Sequence, residues 1–396
     1  MRFFSLLVVL VLSINLTVKS EEVKAPAPFK TKLQEEIKTK LCVDLKKHFE
    51  KKGYPPVIGV GEFTSTPDLD ANYSNGIKNT ITVELKTVGF TVDKKAKYYL
   101  EGKYSKIPNG DKGISVKIAF TLMDPSSEES LSKFPIRIDD YVDVAQTLGV
   151  TAGLGKAVVA PVPPEKEKET REKYIETPLP NLKEINEKVA EYSDKRNFYL
   201  NKDLNLIRAN QSSPYGIKIL VKYGEQYKAI PIKKNDDGRP CVDLKKGDIY
   251  KIELVNDSNY EAAAKVLIDG LNTFSFSEIL DSDKKYPLHN YHIIDKHDKS
   301  VVDGWEKNNR RVYEFLTDTY GKDNQHPNLK PVQEIGVITV SFSVSYEKNN
   351  RPDFISGTYS SGKLETVPGK EVDSKTTSVE RLFGPVIDTI SIRYSH

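Results

Sequence analysis

The sequence predicts an α+β protein, with an α/β sandwich of two helices on a small mixed sheet followed by an all-β sandwich. Three observations predict it. Apolar residues recur every four positions in two early stretches; beyond Ser213 the period switches to alternation between turn signals; and a stretch rich in proline and charge lies between. With 396 residues the chain exceeds what one core usually organises, since domains run to about 150 residues. The expected division is a leader over 1–20, an α/β domain over 21–150, a linker with a short helix over 151–212, and a β-sandwich over 213–396.

The leader rests on Arg2, an apolar run from Phe3 to Leu12 interrupted by Ser5, and the slim residues Val18 and Ser20 near a cleavage position. That run is shorter than the roughly 20 residues a span needs, and Glu21-Glu22 follows it. The expectation is a signal peptide and an exported product, periplasmic, surface-bound or secreted, with no transmembrane span in the mature chain. No cysteine follows the leader, so no lipid anchor is expected there.

The first helix is read from Phe29, Leu33, Ile37, Leu41, Leu45 and Phe49, with Gly53 as its stop. Pro55-Pro56 forbids continuation, and Val57 to Phe63 reads as a buried strand. A second helix carries Tyr73, Ile77, Ile81, Leu85 and Val88 on one face and stops at Gly89. Tyr98–Tyr104 and Ile114–Phe120 alternate like paired strands around Asn109-Gly110-Asp111.

The runs VIGVGEFT, VELKTVGF, YYLEGKYSK and ISVKIAFTLMD resemble bacterial envelope proteins of the curli-secretion-component and penicillin-binding-protein-activator type. The likeness covers about residues 29–140. It implies a protein-binding or assembly module without enzymatic activity. Those relatives are typically lipoproteins, and this chain lacks the anchoring cysteine.

Between the two parts, Gly149 to Lys156 invites a phosphate-loop reading, but Val150 and Ala157 stand where that motif needs a glycine and a hydroxyl. The stretch reads as a glycine-rich connector. Pro163-Pro164, a charged tract, Pro178-Leu179-Pro180 and a weak apolar rhythm at Ile185 and Val189 complete the linker.

Past Ser213, strands are expected over 215–221, 226–232, 249–255, 264–269, 291–294, 312–317, 335–346 and 387–394, joined by turns such as Asp236-Asp237-Gly238 and Lys246-Gly247-Asp248. The hexapeptide Cys-Val-Asp-Leu-Lys-Lys occurs at Cys42 and again at Cys241, first in a helical and then in a strand rhythm. Neither flank repeats, so it is read as coincidence. The segments SPYGIKILV, DIYKIELVNDSNYEAAAKVLIDGLNTFSFS, VVDGWEKNNRRVYEFL, IGVITVSF and ISIRYSH resemble a family of exported, functionally uncharacterised bacterial proteins. That likeness supplies no reaction or ligand.

Composition narrows the function. Lys and Arg number 59 against 56 Asp and Glu, interspersed, so no basic stripe for nucleic acid forms. The two cysteines, Cys42 and Cys241, are read as separate buried thiols. The best metal-like group is His289, His292 and His297 with Asp295 and Asp298, but strand alternation points His292 and Asp295 apart, and the group reads as a solvated strand edge. Asp269 and Asn272 bracket a tight turn before Phe274 and Phe276; they are candidate binding residues, although Asp-Gly alone explains a turn. Trp305, the single tryptophan, is a candidate anchor or core filler. No serine sits in a Gly-x-Ser-x-Gly elbow, and no catalytic residue or cofactor is expected. The expected function is non-enzymatic binding or scaffolding in the cell envelope through protein partners. A cell-wall glycan-binding β-sandwich stands second and a metal-dependent hydrolase third.

Overall fold

The computed structural model describes residues 32–66, 74–110, 113–124, 129–155, 163–176, 181–281, 287–317, 336–347, 349–355, 371–374 and 377–395. The expected leader lies outside them. Helix α1 (Lys32–Glu36) passes through a π-helical turn (Ile37–Leu41) into α2 (Cys42–Lys52). The sequence explains this turn. An α-helix has 3.6 residues per turn, so side chains spaced strictly by four drift about 40° per step. The wider π turn takes up that drift, and Leu33, Ile37, Leu41, Leu45 and Phe49 all stay buried. Gly53 ends the helix with φ of 66°.

Strand β1 (Val57–Ser65), α3 (Ser74–Thr87), β2 (Thr91–Val92), β3 (Tyr99–Pro108), β4 (Ile114–Asp124) and β5 (Glu129–Ile138) follow. They build a five-stranded sheet in the order β2-β1-β3-β4-β5, with β1 parallel to both neighbours and the rest antiparallel. Strand β1 is followed by the crossover α3, as a parallel partner requires. Ile58, Phe63, Leu100, Ile118 and Phe120 meet the apolar stripes of the helices in a first core.

Helix α4 (Tyr141–Leu148) is capped by Asp140, whose carboxylate accepts from the N–H groups of Val142 and Asp143, and it ends at Gly149 with φ of 59°. Residues 151–212, expected to be a linker with one short helix, carry more structure than that. They hold β6 (Ala152–Gly153), α5 (Glu167–Glu176), α6 (Leu182–Lys195), β7 (Tyr199–Asn201) and β8 (Leu206–Arg208). Ile185 and Val189 of α6 sit in the first core, whereas Tyr174 and Ile175 of α5 sit in a second. The charged tract is a pair of solvated helix faces with apolar contacts on their inner sides.

The remaining strands are β9 (Tyr215–Tyr223), β10 (Gln226–Ala229), β11 (Lys233–Lys234), β12 (Pro240–Asp243), β13 (Ile249–Asn256), β14 (Ala262–Ile268), β15 (Leu271–Asn272) and β16 (His292–Ile294). After them come β17 (Asp298–Val302), β18 (Gly304–Asn308), β19 (Arg311–Leu316), β20 (Gly336–Tyr346), β21 (Glu371–Asp373) and β22 (Leu382–Ser395). A nine-stranded sheet runs β18-β19-β13-β9-β8-β7 with β10, β17 and β21 attached; an eight-stranded sheet runs β11-β12-β22-β20-β14-β15 with β16 and β6 attached. Their inner faces share the second core, where Tyr215 stacks on Phe342 at 5.0 Å and 1° between planes. The fold is therefore mixed and strand-dominated, in keeping with the α+β class.

Both cysteines are free; Cys42 is buried as expected, but Cys241 is half-buried. No helix among the described residues is long and apolar enough to cross a membrane.

Strand β20 decides how the two cores meet. Ile338, Val340, Phe342 and Val344 point into the second core, while Thr339, Ser341, Ser343 and Ser345 form the opposite face, and every residue of the strand is buried. Helix α4 covers the hydroxyl face. Gln146 Nε2 donates to Ser341 Oγ at 2.9 Å, Thr339 pairs with Ser391 at 2.9 Å, and Thr151 Oγ1 accepts from the Ser391 N–H at 3.0 Å. Hydroxyls bury cheaply here because they satisfy one another.

Candidate functional site

The residues nominated by sequence converge at the end of β14. Asp269 takes φ of 50° in the turn, and both carboxylate oxygens are occupied: Oδ1 accepts from the Val337 N–H at 2.8 Å and Oδ2 from the Tyr394 hydroxyl at 2.7 Å. Asn272 Nδ2 donates to the Asn290 carbonyl at 3.0 Å, and its Oδ1 accepts from the Phe274 N–H. Thr273 links three elements. Its N–H donates to Val266 O, its carbonyl accepts from the Glu306 N–H at 2.7 Å, and its hydroxyl lies 2.8 Å from His292 Nε2. The Phe274 ring covers His292 at 4.6 Å, and Phe276 stands edge-on to Trp305 at 5.3 Å.

This arrangement reassigns several candidates. Asp269 and Asn272 hold their own turn and face inward. Trp305, 7% exposed, packs between Phe276 and Phe315 and belongs to the second core. The expectation of a solvated histidine edge does not hold for His292, which is buried beneath Phe274. Residues distant in sequence cover it, so no local pattern reveals the burial. His289 is half-buried and reaches Ser378 at 2.9 Å. His297 is exposed and bonds Asn259 at 2.7 Å, at the other end of β16. Among the described residues, no group of three or more His, Cys, Asp or Glu is placed to hold a metal ion.

Electrostatics sharpens this picture. Burial pushes the His292 imidazole down to about 3, so it is neutral at physiological pH. Burial, with Asp303 adding repulsion, pushes Glu306 up to about 8, so its carboxyl is largely protonated at pH 7. The neutral His292 ring shares a hydrogen bond with the Thr273 hydroxyl. The cluster braces the junction of β14, β16 and β18.

The Asp269-Gly270 turn also docks the first core. A Cβ placed on Gly76 of α3 would stand 3.0 Å from both Gly270 Cα and Gly270 O, so the two backbones touch at this point. Nearby, Asp143 on α4 is buried and accepts from the Leu33 N–H at 3.0 Å. Burial, then Asp140, raises its carboxyl to about 7, while Lys265 on β14 acts in the opposite direction.

The outer face of the nine-stranded sheet was not singled out by the sequence reading, although its alternation carried the signal. The register sets Lys218 beside Glu253 and Glu253 beside Val301. Lys218 pairs with Glu253 at 2.7 Å, Lys251 with Asp303 at 2.6 Å and Lys222 with Glu314 at 3.2 Å. Lys251 stands 4.3 Å over the Tyr227 ring. Within this ion-pair lattice Val301 and Leu316 are 40% and 48% exposed. The face is broad, ordered, nearly charge-balanced and studded with accessible apolar groups.

No protein-family model, curated protein or solved structure matches the chain.

Proposed function

We propose that this chain is an exported, non-enzymatic binding or scaffolding protein of the bacterial cell envelope that acts through a protein partner. In this reading it has an amino-terminal α/β module and a carboxy-terminal β-sandwich. The observation that carries the proposal is the outer face of β17, β13, β9, β10 and β19. Its alternating lysines and carboxylates would repel a polymer of either single charge, whereas a folded protein with interspersed charges complements them. Val301, Leu316 and Tyr227 supply apolar and aromatic contact between the ion pairs. The strands behind them are hydrogen-bonded into the nine-stranded sheet and packed on the second core, which limits the ordering entropy lost on docking. Export is supported by the leader-like residues 1–20.

The test uses the full chain and a Leu316→Glu variant as paired baits in cross-linked envelope extract, after matched unfolding curves show that both are folded. A protein retained by the wild type and lost from Leu316→Glu supports the reading. Equal retention by both baits removes the face from the argument. Saturable pelleting of the chain with purified cell wall, with no protein captured, would replace the reading with glycan binding.

A further inference from the structure

We infer that α5 is a detachable strap: it closes a slot between β6 and the Asn210–Ser213 turn by inserting Tyr174, and it lifts away as a unit while both sheets stay folded. Of its ten residues only Tyr174 and Ile175, in the last turn, are buried. The charged turns before them include Arg171, which pairs with Asp257 at 3.4 Å and with Glu167 of its own helix at 3.0 Å. Asp257 keeps a second partner, Arg208, when α5 leaves. At the other end Glu176 accepts from the Tyr260 hydroxyl at 3.0 Å. Partly exposed ion pairs of this kind hold weakly. Pro163-Pro164 precedes the helix and Pro178-Leu179-Pro180 follows it, so prolines separate its hydrogen-bond ladder from its neighbours.

The slot is shaped for an aromatic ring, and its walls do not depend on α5. A Cβ on Gly155 would stand 2.6 Å from Tyr174 Cε1, and one on Gly153 would stand 2.7 Å from the Tyr174 hydroxyl and collide with Asn210 Nδ2. Two glycines of the connector therefore make room for the ring. Strand β6 is bound to β22, where Gly153 pairs with Asp388, and the Leu154 N–H donates to the Ile387 carbonyl at 2.8 Å. From α6, Lys188 Nζ donates to the carbonyls of Leu154 and Gly155 at 3.2 and 3.0 Å. Asn210 is fixed by its own turn, its Oδ1 accepting from the N–H groups of Ser212 and Ser213 at 2.9 and 3.0 Å. The closed end is polar. The Tyr174 hydroxyl donates to Asp388 Oδ1 at 2.7 Å and accepts from Asn210 Nδ2 at 2.9 Å, while the Ser213 hydroxyl donates to Asp388 Oδ2. Water can take the place of a phenol there, because it both donates and accepts. Burial pushes Asp388 up to about 6, with Ser213, Tyr174, Arg208 and Lys188 acting in the opposite direction, so its carboxyl is mostly charged at pH 7. Lifting the strap hydrates that charge, which partly offsets the loss of the Tyr174 and Ile175 contacts.

The experiment is amide hydrogen exchange of the full chain under native conditions, followed peptide by peptide. Peptides from α5 are expected to exchange about 100-fold faster than those from α6, β20 and β22, once each is corrected for its intrinsic rate. Gly155→Ala, which drives a methyl into the Tyr174 ring, should speed exchange in α5 by about 10-fold and leave β20 and β22 as protected as in the wild type. Tyr174→Phe keeps the ring but removes the hydroxyl that Asp388 and Asn210 hold. It should act in the same direction, and it decides the matter if Gly155→Ala fails to fold. Exchange in α5 at the rate of β20 and β22 overturns the inference, because the helix then opens only with the whole fold. So does a substitution that speeds β20 and β22 as much as α5, or a fast α5 that neither substitution alters, since Tyr174 would not be what holds it.

Discussion

The two sheets that share the second core have opposite outer faces. Both alternate apolar with polar residues, yet the outward positions of β20 and β22 are Thr339, Ser341, Ser343, Thr389 and Ser391, and those of β9 and β13 are Lys218, Lys222, Lys251 and Glu253. The hydroxyl face is buried under α4, whereas the charged face is partly open, with Lys218, Lys222 and Lys251 half-buried over the buried carboxyl groups of Glu253 and Glu314. Alternation alone identifies a strand with one core-facing side. The kind of polar residue on the other side tells whether something covers it, since small hydroxyls can pair among themselves in a dry interface and lysine ammoniums cannot.

The strongest way to break this comparison is to exchange the residue types. Ser341→Lys would place an ammonium against Gln146 and Lys265 beneath α4, and should destabilise the fold by about 3–5 kcal/mol in urea unfolding. The reverse exchange, Lys218→Ser, should change stability by less than about 1 kcal/mol. If both variants unfold alike, residue type does not report coverage.

The pH dependence of the covered side sharpens the contrast. The folded-state carboxyl of Asp143 titrates near 7, above its ordinary range, so its contribution is fully present below about pH 4 and is lost as pH rises through 7. A shift of this size amounts to roughly 2–4 kcal/mol. Asp143→Asn retains an acceptor for the Leu33 N–H and should flatten that part of the stability profile between pH 4 and 8. An unchanged profile would show that Asp143 is not the group responsible. Glu306, pushed up to about 8, extends the same downward slope to higher pH. His292 acts in the opposite sense: held neutral, it adds stability as pH rises from about 3 to about 6.5 and nothing more above that.

A smaller effect is expected where the two backbones touch. Gly76→Ala must push α3 away from the Gly270 turn by a few tenths of an ångström, and should cost about 1–2 kcal/mol. Gly89→Ala, at a helix stop with φ of 97° and open space around it, tests backbone strain without packing. If both substitutions are neutral, the contact between the cores is looser than the close approach implies.

Much of this architecture was legible in the residues. The four-residue spacing located the first helix but not its π turn, because spacing shows which side chains share a face and not how the backbone adjusts to keep them there. Strand β5 was missed: Pro135 lies inside it, and polar residues dominate its start. Residues 151–212 read as a linker in sequence because charge dominates the composition, and the apolar pair Tyr174-Ile175 gives α5 only a narrow stripe. The candidates around Asp269 were found as a group, and the structure does bring Asp269, Asn272, Phe274, Phe276, His292 and Trp305 together. Their roles were not legible, since the Tyr394 hydroxyl that occupies Asp269 and the Thr273 hydroxyl that reaches His292 come from other strands. The contrast between hydroxyl-rich and lysine-rich strands is present in the sequence itself.

Strand β22 follows every other described strand in the chain, yet it lies in the interior of the eight-stranded sheet, antiparallel to β20 and parallel to β12. It also carries Ser391 and Arg393, which bind the end of α4. During synthesis the second core therefore has a gap between β12 and β20 until residue 395 has emerged, and pairing over so long a separation is slow. The unfinished sheet cannot close early, so completion of the second core is tied to the arrival of β22.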